Sequence, residues 1–278
     1  MVDTARTENT VTIRPPSGWE WIDFKELFAY RDLFYFLVWR DIKILYAQTI
    51  MGFSWAIFNP LIQIVIFSIV FGRVAKLDTG GIPYVLFSTV AIIPWTYMSE
   101  SMRASSQSLV QGQAVLGKIY FPRVLYPITP ILAKLVDFGI SLVLLLLIMV
   151  WYRVMPTWNV LLLPVLIVMM MAVPAGMGLW LSALAIRFRD VKFAMPFVIR
   201  MLIYSAPVLY SATSISPEYR ILYALNPIVG VIEGFRSALL GTPIMWDSLL
   251  VGVIMSGLLL FSGMLYFKKM ERVFVDVI

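Results

Sequence analysis

The sequence predicts an all-α membrane protein with six transmembrane helices. Three observations carry that prediction. Hydrophobic residues make up 60% of the chain and charged residues only 14%, with a mean hydropathy of +0.86, which lies outside the range of soluble domains. Six apolar runs of about 20 residues follow one another, each long enough to cross a bilayer. Lysine and arginine gather in alternate connections, as orientation in a membrane requires.

Residues 1–18 are polar, with Pro15, Pro16 and Gly18, and carry neither a basic nor an apolar leader region. A cytoplasmic tail is expected there rather than a signal peptide. From Trp19 to Tyr46 the pattern is that of an amphipathic helix lying flat at the membrane interface. At 100° per residue, Phe24, Leu27, Phe28, Phe34, Tyr35, Val38, Ile42 and Leu45 share one sector. Lys25, Glu26, Asp32, Arg40, Asp41 and Lys43 share the other, where Leu33, Phe36 and Leu37 intrude. Those intruders suit contact with protein better than contact with water. The rest of the chain, 47–278, reads as one transmembrane domain.

The six spans fall near Ile50 to Phe71, Tyr84 to Met102, Ile128 to Tyr152, Val160 to Ile186, Phe193 to Ser211 and Ser248 to Phe267. With both termini in the cytoplasm, only Arg73, Lys76, Arg153, Arg220 and Arg236 fall outside, and Lys134 and Arg200 lie within spans. The net charge of +6 then belongs to cytoplasmic loops beside anionic lipid, not to nucleic-acid binding. Asn59-Pro60 should kink the first span, because proline removes a backbone hydrogen bond. Glu100 with Arg103 and Lys134 with Asp137 are i,i+3 pairs at cytoplasmic span ends, a spacing that mainly neutralises charge and leaves room for transmission from the loop.

Two connections are long. The internal one, Arg103 to Pro127, should form a short cytoplasmic helix. Within it Gly112 to Lys118 reads GQAVLGK, which matches a phosphate-binding loop except at Ile119, where Mg²⁺ binding needs Ser or Thr. No buried strand precedes it either, so no nucleotide site is expected in this chain. The external connection, Thr213 to Asp247, has Asn226 as helix cap, Pro227 in the first turn and Gly241 at the end of IVGVIEGFRSALLG. That run is too short to span, so a re-entrant or surface helical hairpin is expected. Glu233 and Arg236 share one of its faces and are candidates for an outer gate, against a solvated ion pair on an exposed helix.

Chemistry is constrained by what is missing. The chain has no cysteine and no histidine, so no disulfide, metal site or imidazole base is expected. Its acidic residues lie near span ends or in loops, away from the midplane where secondary transporters place ionisable coupling groups. Two classes remain as alternatives to a polymer exporter: an exporter of a small molecule or lipid, and a membrane-embedded enzyme acting on lipid-linked sugars through loop carboxylates.

Five stretches in order resemble a known family. They are RDLFYFLVWRDIKILYAQTIMGFSWAIFNPL, SLVQGQAVLGKIYFPRVLYPI, IRFRDVKF, LNPIVGVIEGFRSALLG and FKKMERVFVDVI. Together they are similar to the transmembrane subunits of ABC-2 type exporters of cell-surface polysaccharide, including O-antigen, teichoic acid and capsule permeases. The resemblance implies a homodimer in the plasma (inner) membrane, bound to two copies of an ATPase subunit that holds ATP and Mg²⁺ and moves a lipid-linked polysaccharide. It implies a coupling helix between Ser105 and Lys118, with Gln107, Gln111 and Gln113 among its contacts. The helix before Tyr46 becomes an interfacial gate, and spans one and five line the lumen.

Within that likeness, Tyr46, Phe53, Trp55, Phe58, Trp95, Tyr97, Tyr204 and Tyr210 are candidate channel residues, since flat rings slide against sugar faces and hydroxyls exchange hydrogen bonds. An interfacial aromatic belt is the competing reading. Arg31, Arg40 and Lys43 are candidates for a lipid pyrophosphate, given the bidentate fit of guanidinium to phosphate, with membrane headgroups as the competing ligand.

Overall fold

The computed structural model describes residues 24–47, 54–116, 118 and 121–271, and among them all regular structure is helical. The predicted tail 1–18, the start of the interface helix, Phe53 and residues 272–278 lie outside the described residues. In chain order the helices are α1 (Phe24–Ala29), α2 (Arg31–Tyr46), α3 (Ser54–Phe67), α4 (Tyr84–Gln111), α5 (Gln113–Leu116) and α6 (Leu125–Ala133). They continue as α7 (Leu135–Trp151), α8 (Leu163–Arg187), α9 (Arg189–Ser205), α10 (Pro217–Ala224), α11 (Pro227–Leu240) and α12 (Trp246–Glu271). A π-helical segment, Ser68–Val74, extends α3, and a 3₁₀ turn, Trp158–Leu162, leads into α8.

Four stretches are long and apolar enough to cross a membrane: Ser54–Val74, Leu125–Trp151, Trp158–Arg187 and Trp246–Glu271. The other two expected spans are helical but more polar. One is α4, with Glu100, Arg103 and a run of serines in its second half. The other is α9, 17 residues long with Asp190, Lys192 and Arg200.

The core forms around α4 and α8. Leu86, Val90, Ile92, Met98 and Met102 of α4 are fully buried, as are Leu166, Met170, Val173 and Leu179 of α8. Against α8, α12 approaches to backbone contact. A Cβ on Gly176 would lie 2.6 Å from the Leu259 carbonyl carbon, and one on Gly263 would lie 2.5 Å from the Gly176 oxygen. Small residues at such a crossing let dispersion contacts accumulate where lipid removes the hydrophobic drive between helices.

The structure departs from the sequence expectations at four places, each with a local cause. The second span does not stop at Met102, because no helix breaker intervenes before Gly112. At 1.5 Å per residue the 28 residues of α4 reach about 42 Å, well beyond a hydrocarbon core of about 30 Å. The stretch from Ser105 to Gln111 is therefore the end of a long helix, and only α5 is a separate short one. The fifth span ends as helix at Ser205, because Pro207 favours extended backbone at Ala206, observed at φ −111° and ψ 150°.

The third departure concerns α2, which packs against α6. Its buried residue is Leu37, with Leu33 and Phe34 beside it, whereas Tyr35 and Phe28 of the expected apolar sector stand exposed. The helix is apolar on both sides, and the stripe that meets protein combines Leu33 and Leu37 of the intruders with Phe34 and, on α1, Leu27 of the expected sector, while the third intruder, Phe36, stands exposed. The fourth is α11. Asn226 caps it by accepting from the Ile228 amide at 3.1 Å, Pro227 opens it and Gly241 closes it at φ +72°, as the local signals require. It is no surface helix, however: every residue from Ile228 to Leu239 is buried.

Candidate functional site

Two cavities open along the side of α4, one on each side of its contact with α3. The first, about 420 Å³, lies between α3, α4 and α9. Tyr84 of α4 donates to the carbonyl of Leu209 just beyond α9, at 2.9 Å, so the start of one helix meets the end of the other and the two run antiparallel. The walls therefore run from Arg103 and Glu100 at one end to Trp95, Tyr204 and Leu209 at the other, with Arg200 between them. Beyond the lining, α3 exposes Phe58, Ile62 and Ile66, its π-helical extension exposes Ile69, and α9 exposes Phe193, Phe197, Met201 and Tyr204. Neither face is covered by the other described residues.

The second cavity, about 340 Å³, is closed by the end of α2 against α3, α4 and α7. Tyr46, Trp55 and Tyr97 line it. The Tyr46 hydroxyl donates to Asp137, which also accepts from Lys134 Nζ at 2.8 Å. Burial and the neighbouring carboxylate both push the Tyr46 hydroxyl up from its ordinary pKa, so it remains a proton donor across the physiological range. Tyr97 donates to the Ile131 carbonyl at 3.0 Å and is itself packed.

Pro60 sits within α3 and cannot donate to the carbonyl of Ala56. Ser141 of α7 donates to that carbonyl instead, at 3.0 Å. The proline thus fixes α3 to α7 beside the second cavity, a link sequence reasoning missed because its two halves lie 85 residues apart.

The eight aromatic candidates distribute accordingly. Tyr46, Trp55 and Tyr97 meet at the second cavity, and Trp95 and Tyr204 at the first. Phe58 is exposed on α3. Tyr210 donates to the Tyr204 carbonyl at 3.1 Å and lies 3.0 Å from the Tyr223 hydroxyl, behind the end of α9.

The cations of α2 do not converge. Arg31 is exposed beside Asp32, with its guanidinium over the Phe28 ring. Arg40 is held by Asp41 at 2.8 Å and lies over the Tyr126 ring, in a third cavity of about 390 Å³ between α2, α4 and α6. Lys43 is exposed, with its ammonium over Trp39. Arg31 and Lys43 are about 18 Å apart along the helix.

Of the coupling candidates, Gln111, Gln113 and Lys118 are exposed, and Gln107 accepts from Gln111 at 3.3 Å. Ser105 is fully buried, donating to the Pro127 carbonyl at 2.6 Å, so it ties α4 to the start of α6 and does not reach the surface. Gly112 of the loop-like motif follows a helix, and a Cβ there would lie 2.2 Å from the Tyr126 ring. Its small size serves the packing of that ring.

Glu233 and Arg236 correct an expectation outright. The pair is not solvated: the Arg236 side chain is 1% exposed and that of Glu233 10%, with 2.9 Å between them. Arg236 donates to the carbonyls of Tyr210 and Val208 at 3.1 and 3.2 Å and lies 3.6 Å from the centre of the Phe87 ring. Glu233 accepts from the Ala212 amide at 2.8 Å. The pair is a buried staple that holds the non-helical segment after α9 against α11 and α4.

These features define a class: a helical integral membrane protein whose aromatic and charged side chains line grooves between helices. The chain belongs to the ABC-2 type transporter family, which it matches over residues 32–240. It is 27% identical over 215 residues to the O-antigen export system permease protein RfbA of Myxococcus xanthus, covering 77% of this chain and 82% of that protein. It is 22% identical over 251 residues to the protein of the same name from Klebsiella pneumoniae, covering 89% and 95%. The polysialic acid transport protein KpsM of Escherichia coli is 22% identical over 215 residues, covering 72% of this chain and 78% of that protein.

Proposed function

We propose that this chain is the transmembrane subunit of an ATP-driven exporter that carries lipid-linked cell-surface polysaccharide across the plasma membrane. It acts as a homodimer with two copies of a separate ATPase, and ATP and Mg²⁺ bind in that partner. Family membership and the relatives' names, which give O-antigen export and polysialic acid transport, support the polysaccharide substrate over a small molecule. In this reading six spans cross the membrane with both termini cytoplasmic, α4 and α9 completing the four most apolar stretches. Residues 1–18 form a cytoplasmic tail, 19–46 the gate helix and 47–278 the transmembrane domain.

The observation that carries the reading is the open groove between α3, α4 and α9. Its aromatic and polar walls face out of the subunit along its length. Two copies facing each other across a dimer axis turn that groove into a conduit. Tyr204 offers a stacking surface there, with the buried Trp95 ring behind the wall, and contacts of this kind are weak enough to release a moving chain. Tyr46 and Trp55, in the cavity closed by α2, sit where a substrate passing the gate helix meets the spans. The exposed Gln111, Gln113 and Lys118 at the end of α4 form the ATPase contact, and movement there is transmitted along the single long helix that also walls both cavities.

Alanine at Tyr46 or Tyr204 tests this. In cells expressing the complex, each variant should lower surface polysaccharide several-fold while membrane level and co-purification with the ATPase stay normal. Unchanged surface polysaccharide in both would count against a lumen at this groove.

A further inference from the structure

Arg200 lies well inside α9, five residues before its end, and its side chain is exposed. No hydrogen bond or ion pair joins it to another described residue. An unpaired guanidinium facing hydrocarbon is costly, so on a membrane helix it must face water or an opposite charge. It faces the 420 Å³ groove, where Glu100 is already paired with Arg103. The charged residues lining the groove, Arg103, Arg200 and Glu100, therefore sum to one positive charge, carried by a free planar fork. One turn along α9 from Arg200 is Tyr204, and Gln63 of α3 lines the same space, with its amide nitrogen donating to the Asn59 side-chain oxygen at 3.4 Å. A guanidinium for two oxygens, with an amide and a phenol for hydroxyls, is the equipment for an anionic group borne on a sugar or sugar carrier.

We propose that Arg200 is the centre of an anion subsite in the groove, which takes a carboxylate or phosphate attached to the translocated glycan and sets a preference for anionic substrates. The proposal rests on the reading of the groove as a conduit. Because the guanidinium is exposed, the contact is made and broken as the chain advances.

Its test uses the permease–ATPase complex in phosphatidylcholine nanodiscs, with hexagalacturonate, a polyprenyl pyrophosphate and neutral maltohexaose as binding probes. Wild type should bind at least one anionic probe more tightly than maltohexaose. Arg200→Gln should weaken that binding about tenfold or more, as expected for a lost charge-assisted hydrogen bond, while Arg200→Lys retains part of it and maltohexaose is unaffected. A response confined to hexagalacturonate assigns the anion to the polymer, and one confined to the pyrophosphate assigns it to the carrier. Wild-type affinity of Arg200→Gln for both anions would overturn the subsite. So would displacement of both probes by phosphatidylglycerol, or dissociation of the Arg200→Gln dimer. Export by the Tyr204→Ala and Tyr46→Ala variants separates the two readings: reduced export with unaltered anion binding in Arg200→Gln rejects the subsite alone, whereas normal export by both rejects the conduit beneath it.

Discussion

Ser141 shows how single side chains compensate for irregular backbone in this protein. The carbonyl freed by Pro60 lies beside the second cavity, and the Ser141 hydroxyl meets it. Ser141→Ala should cost about 0.5–1.5 kcal/mol, the net contribution of a typical hydrogen bond, read as a lower unfolding midpoint in detergent. Ser141→Thr, which restores a hydroxyl, should recover part of it. Gly112 is a steric counterpart. A methyl group there displaces the Tyr126 ring, over which the Arg40 guanidinium lies and against which Phe121 stacks at 5.8 Å between ring centres. Gly112→Ala should therefore loosen α2 from α6 and increase protease cleavage in α2, with α8 and α12 unaffected. Neither role was legible in the sequence. The glycine sits in a motif that mimics a phosphate loop, and the ring it accommodates is 14 residues further on.

At the scale of elements, legibility followed the range of the signals. The ends of α11 could be read from Asn226, Pro227 and Gly241, because capping is decided within a few residues. Its burial could not, since it is packed by α4, α8 and α12, and Glu233 and Arg236 find their backbone partners at Val208, Tyr210 and Ala212, in a segment more than 20 residues earlier. The orientation of α2 was ambiguous for another reason: both its faces are rich in apolar side chains, so only the presence of α6 decides which is covered. The buried Glu233–Arg236 pair belongs to this scale. Removing one partner leaves the other charged and buried, which typically costs about 3–5 kcal/mol. Arg236→Ala or Glu233→Ala should each lower thermal stability by that order and free the segment after α9 for hydrogen exchange. Replacing both with apolar residues of similar size should recover much of the loss.

For the molecule as a whole, the membrane class and the helical make-up follow directly from composition and from apolar runs of bilayer length. The position of a conduit does not, because a face turned to lipid and a face turned to a second subunit carry the same apolar residues. What separates them is polar content. The exposed face of α9 has Arg200 and Tyr204 among Phe193, Phe197 and Met201, whereas Val143, Leu147 and Val150 on α7 are apolar throughout. In the proposed homodimer, two copies of α9 therefore stand opposite each other and α7 lies against lipid. The chain contains no cysteine, so a single introduced thiol reports on one position without background. The most direct measurement is cross-linking of Phe197→Cys with a short bismaleimide in native membranes, with the partner ATPase present and Leu147→Cys as the comparison. The expected result is a cross-linked dimer from Phe197→Cys that no longer exports polysaccharide, and none from Leu147→Cys. A dimer from Leu147→Cys with none from Phe197→Cys would contradict it.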